Sequence, residues 1–211
     1  MGQQDIGTGP KGPSIPIVKF RTMGQRIVGA LVDEEMRQQQ KWVNGKAEGL
    51  RFKDDGKPAW ELVLTLLVMP GSSAVVVDRD SGDDVPVEAG QLVRHIISGY
   101  KWNQYITARD LLGKDNKART GDLFAQTFKT CSIDNGRGGR EVLVTQEQVN
   151  AAKLADKVVG KDAEILVRRP GPEHTAIVEQ CNAKRAELAQ QPVGAGAPAG
   201  GGYNPHDEDP F

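Results

Sequence analysis

Aromatic and basic side chains interleave at three places along this chain. Trp42, Phe52 and Trp60 alternate with Lys41, Lys46, Arg51, Lys53 and Lys57. Tyr100, Trp102 and Tyr105 stand beside Lys101 and Arg109. Phe124 and Phe128 neighbour Lys129, and Arg137 and Arg140 follow shortly after. An aromatic face stacks on a nucleobase, and a Lys or Arg neutralises a phosphate, so this mixture is what a single-strand binder needs. The candidate phosphate contacts are Arg51, Lys53, Lys57, Lys101, Lys129, Arg137 and Arg140. The candidate base contacts are Trp42, Phe52, Trp60, Trp102, Tyr105, Phe124 and Phe128. The competing fate of any one aromatic is burial. Trp60 and Tyr100 each continue an apolar face and are expected in the core. Trp42, Phe52 and Trp102 have polar neighbours and suit a ligand better.

Signatures of catalysis are absent. The chain has no phosphate-binding loop, no HExxH and no Gly-x-Ser-x-Gly elbow. Gly7 to Gly12 matches GxGxxG formally, but no strand precedes it and Pro10 stands where a helix would begin. Cys131, Cys181, His95 and His174 have none of the spacings of a zinc site. Asp33, Glu34 and Glu35 with Asp54 and Asp55 could be imagined as a divalent-metal nuclease cluster. A solvated acidic edge is the better account, because consecutive strand residues point to opposite faces. The expectation is a non-enzyme that needs no cofactor and no metal.

The most specific pattern lies at the C-terminus. A Gly/Ala/Pro stretch from Pro192 to Pro205 leads into Asp207-Glu208-Asp209-Pro210-Phe211. With those three acids set aside, 27 Lys and Arg face 25 Asp and Glu, so a mildly basic body carries an acidic end. This ending resembles the C-terminal tip of bacterial and bacteriophage single-stranded DNA-binding proteins. The resemblance implies coating of exposed single strands in replication, recombination and repair. It also implies that Asp207, Glu208, Asp209, Pro210 and Phe211 recruit partner proteins: Phe211 fills an apolar pocket and the acids steer the encounter. It further implies an OB-type fold, a five-stranded barrel with a helix between strands three and four. A phage-encoded version is the preferred source. The rival function is a phage structural or scaffolding protein that uses the tail as a docking peptide and touches no nucleic acid.

The elements that must position these groups read as mainly β with added helices. Ile15 to Glu35 is extended chain interrupted by Gly24 and Gly29, which suggest bulges or coils of a small barrel. Trp42 to Lys57 is a loop or irregular hairpin. Ala59 to Met69 is the clearest strand, and Ala74 to Val77 a short one. Val87 to Leu112 reads as mostly helical from Leu92, Val93, Ile96, Ile97 and Tyr100. Gly121 to Ile133 alternates, with Phe124, Gln126 and Phe128 on one face. Thr145-Gln146-Glu147-Gln148 forms a capping box for a helix reaching Gly160, with Val149, Ala152, Ala155 and Val158 inward. Ala163 to Arg169 and Thr175 to Gln180 read as a closing strand pair, and Asn182 to Gln191 as a short helix. The expected organisation is a flexible arm (1–14), an OB-type body (15–185) and a disordered linker with its tip (186–211). Its apolar run Leu62 to Met69 is too short to span a bilayer. Met1 to Ser14 has no apolar stretch for secretion, and two distant cysteines suit a reducing cytoplasm. A homo-oligomer is compatible with all of this.

The tip and the body are expected to separate cleanly. Phe211→Ala should abolish capture of partners in a pull-down from host lysate. Truncation after Gln191 should leave affinity for oligo-dT unchanged or slightly raised at low salt. Equal capture by the full chain and the Phe211 variant would reduce the tip to a solubilising end.

Overall fold

The computed structural model describes residues 15–43, 46–78, 80–113, 118–155 and 157–190. The protein is mainly β with three helices among the described residues. In chain order the elements are β1 (Val18–Lys19), β2 (Arg26–Gln38), β3 (Gln40–Val43), β4 (Lys46–Leu50), β5 (Trp60–Val68), β6 (Val75–Val77), β7 (Asp84–Pro86), β8 (Leu92–Ile97), α1 (Tyr100–Asp110), β9 (Leu123–Asp134), β10 (Arg140–Val142), α2 (Gln146–Leu154), β11 (Val158–Arg168) and α3 (His174–Gln190). No helix among the described residues is long and apolar enough to cross a membrane.

The principal sheet is antiparallel in the order β11-β9-β2-β5-β8. Its sixth strand, β10, pairs with the end of β9 beyond the stretch that β2 occupies. A small sheet of β1, β6 and β7 lies beside it, and β3 with β4 makes a separate two-stranded ribbon. The order follows from patterning. β5 is apolar on both faces, so it takes a central place between β2 and β8, and residues 61–68 are all buried. Leu62, Leu64, Leu66 and Val68 join Ile27, Leu31, Phe124, Phe128, Val93 and Ile97 in the main core. Each such side chain contributes about 1.5–3 kcal/mol on full burial. Leu67, on the other face, packs with Ala30, Val32, Ile177 and Cys181 beneath α3.

Two glycines permit this packing. A Cβ on Gly29 would stand 2.8 Å from the Leu66 Cβ, so β2 and β5 approach only because it is missing. Gly121 has φ +87°, and a Cβ there would lie 2.5 Å from Val178 of α3. The register shift of β2 falls between Leu31 and Asp33, not at a glycine. A bulge leaves backbone groups outside the ladder, and the Val32 carbonyl accepts a bond from Arg185 of α3.

Four expectations are corrected. Val87 to Leu112 is not mostly helical: Leu92–Ile97 is β8, and α1 begins only after Gly99 at φ 54°. Leu92, Val93, Ile96 and Ile97 fit helical spacing, but pairing with β5 buries Val93, His95 and Ile97 by alternation. Thr175 to Gln180 is not a strand. With Asn182 to Gln190 it forms the single helix α3, because Ile177 and Cys181, one turn apart, bury against the sheet. The boundary at 186 therefore falls inside a helix. α2 keeps its expected capping box, with the Thr145 hydroxyl accepting from the Gln148 amide at 3.2 Å and the Gln148 side chain accepting from Thr145 at 3.0 Å. Its inward residues are Val149 and Ala152, but it ends at Leu154, and Val158 opens β11.

One polar pair lies inside the main core. The ring of His95 shares a 2.8 Å hydrogen bond with Gln126 and sits edge-on to Phe20 at 5.8 Å. Burial, with the Lys101 charge adding to it, pushes its pKa down from 6.5 to about 3, against the opposing bond to Gln126. The native ring is neutral, whereas the unfolded ring takes a proton below 6.5. This contribution to stability is therefore complete above pH 6.5 and is lost as pH falls toward 3. Urea unfolding should show native stability on the order of 2 kcal/mol lower at pH 5 than at pH 7 from this group. His95→Gln, which keeps a partner for Gln126, should flatten that part of the profile.

Candidate nucleic-acid interface

Beyond Glu61 the sheet runs out of core, and β2 and β5 continue into an arm. Three backbone segments are laced together there. Gln39 donates to the Ala59 carbonyl at 2.8 Å, Arg51 to Gln39 at 2.8 Å, and Ala59 to Arg51 at 3.0 Å. Phe52 bridges to Pro58. Lys53 donates to Lys57 at 2.8 Å, closing a tight turn that Gly56 completes at φ 75°. Gln39 is the buried organiser: its amide nitrogen donates to the Trp60 carbonyl at 3.3 Å, and its oxygen accepts from Arg51 at 3.2 Å. At the root, Arg37 is paired with the buried carboxylate of Glu61 at 2.7 Å.

This arm holds one part of the expected site together. Phe52 is 57% exposed and Trp60 46%, although both are large aromatics. Arg51, Lys53 and Lys57 are exposed around them, with Lys57 also 3.1 Å from Asp55. Trp42 lies in β3 opposite Ala47, but its side chain falls outside the described residues. Trp60 is thus corrected from core member to surface residue. It shares a face with the inward Leu62, but it pairs with Gln38 past the end of the core.

The other aromatics go inward, which corrects the expected ligand contacts. Phe124 and Phe128 are 2% and 1% exposed, because β9 turns them with Gln126 toward β5 and β8. Tyr105 is buried and donates from its hydroxyl to Glu34 at 2.7 Å. Burial first, then the Glu34 carboxylate, drives the Tyr105 pKa upward. Lys101 is buried one turn before it. Trp102 is partly buried against the main core. None of Lys101, Tyr105, Phe124 and Phe128 can reach a base or phosphate without unpacking the sheet.

Lys129 is exposed on the outer face of β9 and paired with Glu164 at 2.6 Å. Arg137 and Arg140 are exposed at the β9–β10 turn. Its backbone is drawn together by the Asn135 side chain, which accepts from Arg137 at 2.9 Å and from Gly139 at 3.1 Å. The imagined acidic cluster does not assemble, since Glu34 faces Tyr105 and Arg109 while Asp55 faces Lys57. Among the described residues, no group of three or more His, Cys, Asp or Glu is placed to hold a metal. Asp207 to Phe211 lies outside the described residues.

Two exposed apolar residues escaped the sequence reading: Met36, opposite Leu62 just before the root of the arm, and Leu50 at the end of β4, 60% and 54% exposed. Their exposure has no local signature, because Met36 prolongs a strand whose earlier apolar residues are buried.

Comparison with known proteins leaves the family open. No family model matches the chain, and no solved structure matches it. Subunit beta′ of the DNA-directed RNA polymerase of Chlorokybus atmophyticus is 27% identical over 105 residues, 50% of this chain and 14% of that subunit. The chain therefore matches only a small fraction of that relative's length.

Exposed and buried aromatics should respond oppositely to truncation. Phe128→Ala should cost about 3–5 kcal/mol of unfolding free energy. Phe52→Ala and Trp60→Ala should stay within roughly 1 kcal/mol of the parent, as surface changes do. Chemical denaturation of the three variants checks both halves.

Proposed function

We propose that the chain binds single-stranded DNA without sequence preference, the arm of β3, β4 and residues 51–60 supplying its contact surface. The observation that carries this reading is the exposure of Phe52 and Trp60 among Arg51, Lys53 and Lys57. Water-exposed aromatics forgo hydrophobic stabilisation, and such patches mark sites of interaction. Stacking is tolerant of base identity, and flanking cations serve any backbone, so the expected preference is for strand state and not for sequence. Arg137 and Arg140, exposed at the β9–β10 turn, are further candidate phosphate contacts.

The strand order supports the same reading. β2, β5, β8, β9 and β11 occur in the chain order of the five strands of an OB barrel, and α1 lies between the third and fourth. We read the sheet as an elaborated OB barrel, with α1 packed beside β8 and β11 where such a barrel would close. The acidic tip would then recruit replication and repair proteins while the body holds the strand.

Titration of intrinsic tryptophan fluorescence with single-stranded and duplex DNA of equal length tests the proposal. Single strands should bind tighter, with a log–log salt slope near −0.7 per phosphate contact. Phe52→Ala or Trp60→Ala should weaken binding about five- to a hundred-fold. Charge removal at Lys53 or Arg137 should make the slope shallower. Equal affinity for the duplex would overturn the reading.

A further inference from the structure

The bonds that shape the β9–β10 turn also prepare it to react. Asn-Gly occurs in the chain at 44–45 and at 135–136, and the later pair lies among the described residues. Residues 134–140 are all exposed, and Arg140 pairs with Asp134 where the turn closes. Inside it the Asn135 backbone amide donates to the Gly139 carbonyl at 3.1 Å. Gly136 and Gly138 take φ 70° and 79°, the left-handed region that glycine tolerates.

Polar groups converge on the Asn135-Gly136 link. The Asn135 side-chain oxygen accepts from the backbone amides of Arg137 at 2.9 Å and Gly139 at 3.1 Å. The Gly136 amide donates to the Asp134 carboxylate at 2.7 Å. Donors at such distances stabilise a developing oxyanion, and a carboxylate at such a distance is within reach of the proton it would take. A Cβ on Gly139 would stand 3.0 Å from the Asn135 side-chain nitrogen, so glycine there leaves that nitrogen room to depart.

We propose that Asn135 is a self-modification site, at which the folded turn promotes deamidation of its own side chain. The Gly136 backbone nitrogen forms a bond to the Asn135 Cγ and gives its proton to the Asp134 carboxylate. The Arg137 and Gly139 amides hold the charge that develops on the side-chain oxygen. The bond from Cγ to the side-chain nitrogen then breaks, and Asp134 passes the proton to that nitrogen. Ammonia leaves and a cyclic imide remains. Solvent water opens the imide at either carbonyl, giving aspartate or isoaspartate at position 135. Nothing is oxidised or reduced, and water is the only co-reactant. The product places a new carboxylate beside Arg137 and Arg140, and its isoaspartate form adds a methylene to the backbone of the turn. The modification needs only the turn, so it stands apart from single-strand binding.

Incubation of the full chain at neutral pH, followed by mass-spectrometric mapping of the tryptic peptide from Thr130 to Arg137, tests the site. An Asn-Gly pair reacts slowly in any unfolded chain, so the readout is the ratio of folded to unfolded rates. Asn135 should deamidate about ten-fold faster, or more, in the folded chain than in guanidinium chloride. Asp134→Asn keeps an acceptor for the Gly136 amide but supplies no base. It should slow Asn135 about ten-fold in the folded chain and leave the unfolded rate unchanged. Fragment ions separate reaction at position 134 from reaction at 135, and thermal melts establish that the variant is folded. A folded rate equal to or below the unfolded one overturns the proposal and makes the turn protective. An acceleration that survives Asp134→Asn also overturns it.

Discussion

The burial of β5 on both faces is the constraint from which the rest of the structure follows. A strand with apolar residues on two sides needs two neighbours in the sheet and cover above and below. β2 and β8 supply the hydrogen bonds. The residues of the main core cover one face, and α3 caps part of the other through Ile177 and Cys181. α3 is held there by polar contacts as well as apolar ones. Arg185 takes the Val32 carbonyl freed by the bulge and the Thr120 hydroxyl at 2.9 Å. Gly121 lets the chain pass beneath Val178.

Covering the sheet in this way moves exposed aromatic surface off it. Among the described residues the exposed large aromatics, Phe52 and Trp60, stand where β2 and β5 outrun the core, on an arm organised by Gln39. Buried polar groups hold the frame behind that arm. Asp122, 1% exposed, accepts from Arg169 at 3.0 and 3.3 Å and from the Arg119 amide at 2.8 Å. These bonds fix the entry to β9 against the exit of β11. Charge-assisted bonds of this kind are stronger than neutral ones, and a buried carboxylate without them would be costly. Tyr105 does the same for α1 by reaching Glu34 on β2.

The clear patterns of the sequence appear where a local period and the final environment agree. The alternation from Leu123 to Phe128 places Phe124, Gln126 and Phe128 on one face as read, but that face turns into the core and not toward a ligand. The Thr145 box starts α2. The reading failed where a short apolar run satisfied two periods at once. Leu92 to Ile97 has helical spacing and also lies in register with Leu62 to Leu67. His174 to Gln180 contains β-branched residues, but a helix lets Ile177 and Cys181 bury together.

The candidate site shows the same division. Local chemistry marks Phe52 and its basic neighbours, because a turn closed by Gly56 and flanked by Arg and Lys has little apolar surface to bury. Residue type and spacing were thus sufficient for the strands of long alternation, the capped helix and the aromatic–basic composition of the arm. Which aromatics face water was decided only by the tertiary structure. Trp60 and Phe128 both continue apolar strands, yet one is 46% exposed and the other 1%. The difference lies in where the paired strands outlast the core, and that depends on contacts between residues far apart in the chain.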